Sequence, residues 1–166
     1  SELRKIGVKS PITILPSGIN RREFTNVSKG YLHDKLHINP GVKILLYVGR
    51  LGREKSVDFL VKSFKHVAEK HPDTVLVMVG DGPEKKKLRE LSKNLKISKK
   101  VYLTGFIKSE FIPKVYADAD IFIFASKTET QGMVIIEAMT SGLPVVTVKD
   151  PAFSEMIENG KNGFLT

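Results

Sequence analysis

The chain contains no cysteine and no tryptophan in 166 residues. Disulfides are therefore excluded, and the composition fits a reducing compartment, so a cytoplasmic location is expected. No apolar run approaches the roughly 18 residues of a membrane-spanning helix, and the first residues do not have the form of a secretory signal. Internal repeats, low-complexity tracts and shifts of composition that would mark a linker are also missing. What remains is 41% hydrophobic and 27% charged, ordinary values for one globular domain with its own core.

The apolar residues are grouped in short continuous runs, at 13–15, 44–48, 75–79, 101–103, 121–124 and 145–148. Continuous rather than alternating runs predict strands covered on both faces. Between them lie segments with helical periodicity. Val57, Leu60, Val61, Phe64, Val67 and Ala68 share one face, as do Leu88, Leu91 and Leu95, and then Ile112, Val115 and Tyr116. Strand alternating with helix predicts an α/β fold, a Rossmann-like doubly wound parallel sheet.

Two loops carry the chemistry. In Glu129-Thr130-Gln131-Gly132-Met133-Val134-Ile135-Ile136-Glu137 two carboxylates straddle the start of a helix that Gly142 and Pro144 terminate. A loop at the carboxyl end of a strand in such a sheet opens into the ligand crevice. Glu129 is expected there, with Glu137 about 7–8 Å further along the helix. Carboxylates accept from sugar hydroxyls, and the N–H groups of Gly132, Met133 and Val134 between them suit a phosphate or hydroxyl. That order of groups fits a nucleotide sugar. The second loop, Gly49-Arg50-Leu51-Gly52-Arg53-Glu54-Lys55, follows the run at 44–48. Its glycines allow close backbone approach, and Arg50 and Lys55 match the charge of a diphosphate.

With both loops in view, the sequence resembles the C-terminal nucleotide-binding domain of retaining glycosyltransferases of GT-B architecture, the GT4 family. The resemblance runs from Leu15-Pro16-Ser17-Gly18-Ile19-Asn20, similar to that family's interdomain segment, to 159–165. It implies that Glu129 contacts the donor sugar, Glu137 the ribose, and Arg50 and Lys55 the diphosphate. Glu129, Arg50 and Lys55 become the expected catalytic groups. Gly49, Gln131, Gly132, Met133 and Val134 join them in donor binding, with the base received by backbone near Ile107. Backbone readout leaves uracil and guanine unseparated. Ser56 stands where the family usually has glycine, so a local change of backbone is expected. Gln131, in place of the Phe of other members, brings the motif nearest to bacterial diacylglycerol glucosyltransferases. The family further implies an acceptor-binding domain before Ser1 and a tail after Thr166. The fragment is thus expected to bind a donor such as UDP-glucose without transferring its sugar. No cofactor or metal is implied.

Other signals are weaker. Gly80-Asp81-Gly82 reads as a tight turn into a helix from Glu84 rather than half of a dinucleotide fingerprint, because Pro83 follows and the third glycine is missing. His33 and His37 have the spacing of a zinc pair but lack a third ligand. The net charge of +9 comes from short clusters such as 85–87, 99–100 and Arg21-Arg22. These read as solvated faces, or as an anionic membrane contact if the acceptor is a lipid, which would place the protein at the inner face of a membrane. Nucleic acid ranks lower, since no RNA-binding aromatic motif is present. The alternative to a donor domain is a non-catalytic basic module of the same fold that docks on anionic membrane or nucleic acid.

Overall fold

The computed structural model describes residues 2–13, 17–126, 129 and 131–166. Three short helices, α1 (Glu2–Lys5), α2 (Arg21–Phe24) and α3 (Tyr31–Leu36), precede an alternation of strands and helices. This consists of β1 (Lys43–Val48), α4 (Val57–Lys70), β2 (Thr74–Val79), α5 (Lys85–Asn94), β3 (Val101–Gly105), α6 (Ile112–Ala117), β4 (Ile121–Phe124), α7 (Met133–Thr140), β5 (Val145–Thr147), α8 (Pro151–Ser154) and β6 (Gly163–Leu165). The predicted α/β class holds. Every strand pairing is parallel, and the sheet order is β3-β2-β1-β4-β5-β6.

The continuous apolar runs became strands for the expected reason. In β1 every residue after Lys43 is buried, and all of β2 is buried, because helices cover both faces of the sheet. Helix α4 buries Val57, Leu60, Val61, Phe64 and Ala68 and turns Asp58, Lys62 and Glu69 to solvent. Buried Asp118, just after α6, accepts from the backbone N–H groups of Gly30 and Leu32 at 2.5 Å each and so fixes the start of α3 to the body of the sheet.

The order of strands positions the site. From β1 the chain moves outward to β2 and β3, then returns to the other flank of β1 for β4, β5 and β6. Leu45 lies opposite Ile121 and Leu46 opposite Phe122, so β1 and β4 end side by side. The loops leaving them diverge to opposite sides, which opens a crevice at their carboxyl ends.

Two strand expectations need revision. The run at 145–148 yields a strand that stops at Thr147, and β6 was not foreseen, because three residues opening on glycine carry no period. Ile14 and Leu15 of the run at 13–15 lie outside the described residues.

Helices α5 and α7 end alike. The N–H of Gly142 bonds Met139 O and that of Leu143 bonds Ala138 O, while the N–H of Lys96 bonds Lys93 O and that of Ile97 bonds Ser92 O. Both are Schellman closures with the C′ residue left-handed, at φ 81° for Gly142 and 59° for Lys96. A non-glycine residue there costs about 1 kcal/mol of backbone strain. Replacing Lys96 with Gly is expected to raise unfolding free energy by ~0.5–1 kcal/mol in urea titration. A Cβ at position 142 would meet nothing within 4 Å, so Gly142→Ala isolates the backbone effect and should lower stability by about 1 kcal/mol.

Candidate functional site

The loop after β1 is held in place by the loop after β2. The N–H of Gly49 bonds Val79 O at 2.9 Å, that of Leu51 bonds Asp81 O at 2.9 Å, and that of Glu84 bonds Leu51 O at 3.0 Å. The contact is backbone on backbone. A Cβ at Gly80 would lie 2.0 Å from Gly49 O, and one at Gly82 would lie 2.5 Å from Leu51 O. The Gly80-Asp81-Gly82 turn leads into α5 as expected, but its glycines also let it seat the neighbouring loop. That second role left no local signal, because the partner atoms are some thirty residues away in sequence.

Leu51 is fully buried and anchors this loop, while Arg50 beside it is exposed. The Tyr47 hydroxyl donates to Arg50 O at 2.8 Å, which fixes the backbone and leaves the guanidinium free to reach a ligand. Burial, with the charges of Glu129 and Glu54 adding to it, pushes the Tyr47 phenol far above its ordinary range, so it remains a neutral donor. Ser56 takes φ 50° and ψ 38°, the left-handed conformation that glycine adopts most cheaply. A serine in that conformation carries backbone strain that glycine would not.

Across the crevice, the loop after β4 brings Glu129 to Lys55. Lys55 Nζ donates to Glu129 Oε1, with the two side chains 21% and 16% exposed. This pair spans the two diverging loops. Tyr47, Gly49, Arg50, Lys55, Glu129 and Gln131 line a pocket of about 250 Å³, together with Gly132, Met133 and Val134 at the opening turn of α7. The first N–H groups of that turn have no partner within the helix, so one wall offers backbone donors and the other two cations.

Two predicted residues stand apart from this pocket's lining. Ile107 is buried in the loop after β3, at the same carboxyl edge of the sheet. Glu137 is half-buried on α7, where its Oε2 lies 2.8 Å from the hydroxyl of Tyr116. Burial raises the Glu137 carboxyl above its usual range, and the Tyr116 hydrogen bond opposes that rise. Tyr116 was foreseen only as an apolar-face residue of its helix, since nothing in its spacing shows where its hydroxyl points. Of the two histidines only one is helical. His33 lies in α3, with Nδ1 3.1 Å from Ile38 O, and His37 lies past the helix end at φ 53°. Among the described residues no cluster of three His, Asp or Glu is placed to hold a metal ion.

Residues 29–166 match the family described as glycosyl transferases group 1. The chain is similar to the alpha-monoglucosyldiacylglycerol synthase of Acholeplasma laidlawii, with 37% identity over 156 residues that make up 91% of this chain and 39% of that protein. Among solved structures it is similar to Anabaena HepE in complex with UDP and glucose, at TM-score 0.77 and 27% identity, over 90% of this chain and 41% of that one. It is similar also to the C-terminal domain of the group 1 glycosyl transferase LpcC from Francisella tularensis, at TM-score 0.78 and 26% identity, over 90% of this chain and 80% of that one. The chain thus spans 39% of the length of the synthase and 41% of HepE. Its parallel six-stranded sheet is the Rossmann-like architecture of GT-B glycosyltransferases. By the extent of these matches and by its fold, the chain belongs to the group 1 family of glycosyl transferases.

Proposed function

We propose that this chain is the donor-binding domain of a retaining, GT4-type hexosyltransferase that takes a UDP-hexose, UDP-glucose first among them. The observation that carries this reading is the Lys55–Glu129 pair bridging the two loops at the divergence of β1 and β4, with Arg50 and the opening of α7 on the same pocket. The binding of UDP and glucose by Anabaena HepE supports the choice of donor. Glu129 accepts from sugar hydroxyls, Arg50 and Lys55 hold the diphosphate, Glu137 takes the ribose, and backbone near Ile107 meets the base. As the bond from the sugar to the diphosphate breaks, its electron pair passes to the leaving phosphate oxygen. The cations and the N–H groups of Gly132, Met133 and Val134 stabilise that charge while the acceptor oxygen bonds the sugar carbon on the same face and passes its proton to the departing phosphate oxygen. No covalent protein nucleophile is required. Two fixed cations can supply what a divalent ion supplies elsewhere. The acceptor is assigned to an N-terminal domain of the longer protein, so this chain alone binds donor without turnover.

The A. laidlawii relative is named for a diacylglycerol product, and we assign this protein a lipid acceptor on an anionic membrane, a growing glycan being the other candidate. Residues 85–100 carry eight cations and one anion; Lys86, Arg89 and Lys93 follow one another at helical spacing along the exposed side of α5, and exposed Lys96 stands just past its end. Among the described residues none of these four makes an ion pair, whereas Lys85 and Lys87 are paired with Asp81 and Glu84. A lysine-rich helix that carries no aromatic of its own suits anionic lipid better than nucleic acid. Among the described residues no helix is long and apolar enough to cross a membrane, so the attachment proposed is peripheral, at the cytoplasmic face. The same face favours a second reading, a basic docking module without donor chemistry.

Calorimetric titration with UDP-glucose separates the two readings. Saturable binding is expected, weakened about tenfold to a hundredfold by Lys55→Ala or Glu129→Gln and unchanged by EDTA. Absence of binding by the folded chain would favour the docking module, and sugar transfer by the chain alone would overturn the division of labour between domains. In a vesicle-sedimentation assay, binding to phosphatidylserine-containing membranes should exceed binding to neutral ones and should fall as salt rises. Joint replacement of Lys86, Lys93 and Lys96 by Gln should weaken it about a hundredfold while donor affinity stays the same.

A further inference from the structure

Tyr116 is fully buried on α6, yet its hydroxyl reaches across to α7, where it lies 2.8 Å from Glu137 Oε2 and 3.2 Å from Val134 O. The ring cannot turn freely, because it packs against Phe24 at 5.9 Å and Phe122 at 5.8 Å between centroids. Val134 and Glu137 are three residues apart on one helical face, so a single hydroxyl fixed by the core addresses both. It has one hydrogen, and the nearer, charged acceptor takes it. Among the described residues Glu137 Oε1 makes no hydrogen bond, so the carboxylate is held by one oxygen and presents the other.

We propose that Tyr116 is a positioning residue for the donor, one that holds Glu137 ionised and aimed so that Oε1 meets the ribose hydroxyls. The inference rests on the donor reading above. The physical need is clear from the surroundings. Burial by itself favours the neutral carboxylic acid, which is a weaker acceptor for sugar hydroxyls, and a donated hydrogen bond favours the carboxylate. Burial and the adjacent Glu137 charge push the Tyr116 phenol well up, so it stays protonated and remains the donor throughout the range in which Glu137 titrates. The bond also joins α6 to α7, which ties the aim of Glu137 to the packed core rather than to the rotamer freedom of a surface glutamate.

Tyr116→Phe keeps the ring and its two aromatic neighbours and deletes only the hydroxyl. Titrated with UDP-glucose near pH 7.5, this variant is expected to bind roughly tenfold more weakly than the parent chain. Without the hydrogen bond that lowers it, the Glu137 pKa rises. Affinity should then begin to fall at a higher pH during acidification than it does in the parent. The penalty should vanish with 2′,3′-dideoxy-UDP, which offers Glu137 nothing to hold, and it should not add to that of Glu137→Gln in the double variant. Equal weakening at every pH and for both nucleotides would show a merely structural tyrosine and overturn the proposal. Unchanged binding by Tyr116→Phe beside weakened binding by Glu137→Gln would overturn the positioning role alone. Unchanged binding by Glu137→Gln would overturn the ribose assignment beneath it.

Discussion

The divergence of the chain on the two sides of β1 is the constraint on which the rest of the structure depends. In a parallel sheet all strands point the same way, and helices returning over each face close most of the carboxyl edge. Only where neighbouring strands send their connections to opposite sides does the edge stay open. Here that place is between Val48 and Phe124, and it alone explains how residues more than seventy positions apart, Lys55 and Glu129, come into contact. The same geometry aligns the opening turn of α7 with the loop that carries Arg50.

Holding such a loop steady needs more than strand ends. The segment from Gly49 to Gly52 has little side-chain packing of its own beyond Leu51, and its rigidity comes from backbone hydrogen bonds to 79–84. Two backbone segments can approach that closely only where no side chain intervenes, so Gly80 and Gly82 are as much part of the site as the residues that line the pocket. A cationic loop so braced presents Arg50 and Lys55 from a fixed frame. Fixed dipoles and charges need little reorganisation when charge develops beside them.

Much of this was legible in the sequence, and the parts that were not share a cause. Runs at 44–48, 75–79 and 121–124 announced strands because both faces of each are buried, and the spacing of Val57, Leu60, Val61 and Phe64 announced α4 because one face is. Arg50, Lys55, Glu129 and Gln131 could be assigned to one pocket because each sits in a loop that follows a strand, where chemistry is exposed by the logic of the fold. By contrast β6, the seating role of Gly80 and Gly82, and the hydroxyl of Tyr116 depend on what stands opposite each residue in three dimensions. A buried tyrosine at helical spacing looks like any other core aromatic until its one polar atom is found against Glu137. Polar contacts within an apolar environment are the least visible feature in a sequence and among the most constrained in a structure.

The two carboxylates of the E-x7-E stretch, so alike on paper, are set in different electrostatic situations. Glu129 meets a full positive charge on Lys55 at a partly open edge, a partner that a phosphate can compete for. Glu137 meets a neutral phenol inside the wall formed by α6 and α7, a partner that no anion displaces. A charged partner that can be drawn away suits a group whose contacts must change when a ligand arrives. A neutral, core-anchored partner suits a group whose aim must stay the same. Placing one kind at the open edge of the pocket and the other further along α7 divides the site into an adaptable half and a fixed half. In the donor reading, the sugar and diphosphate fall to the first half and the nucleoside to the second, so the part of the ligand that changes during reaction meets the part of the protein that can respond.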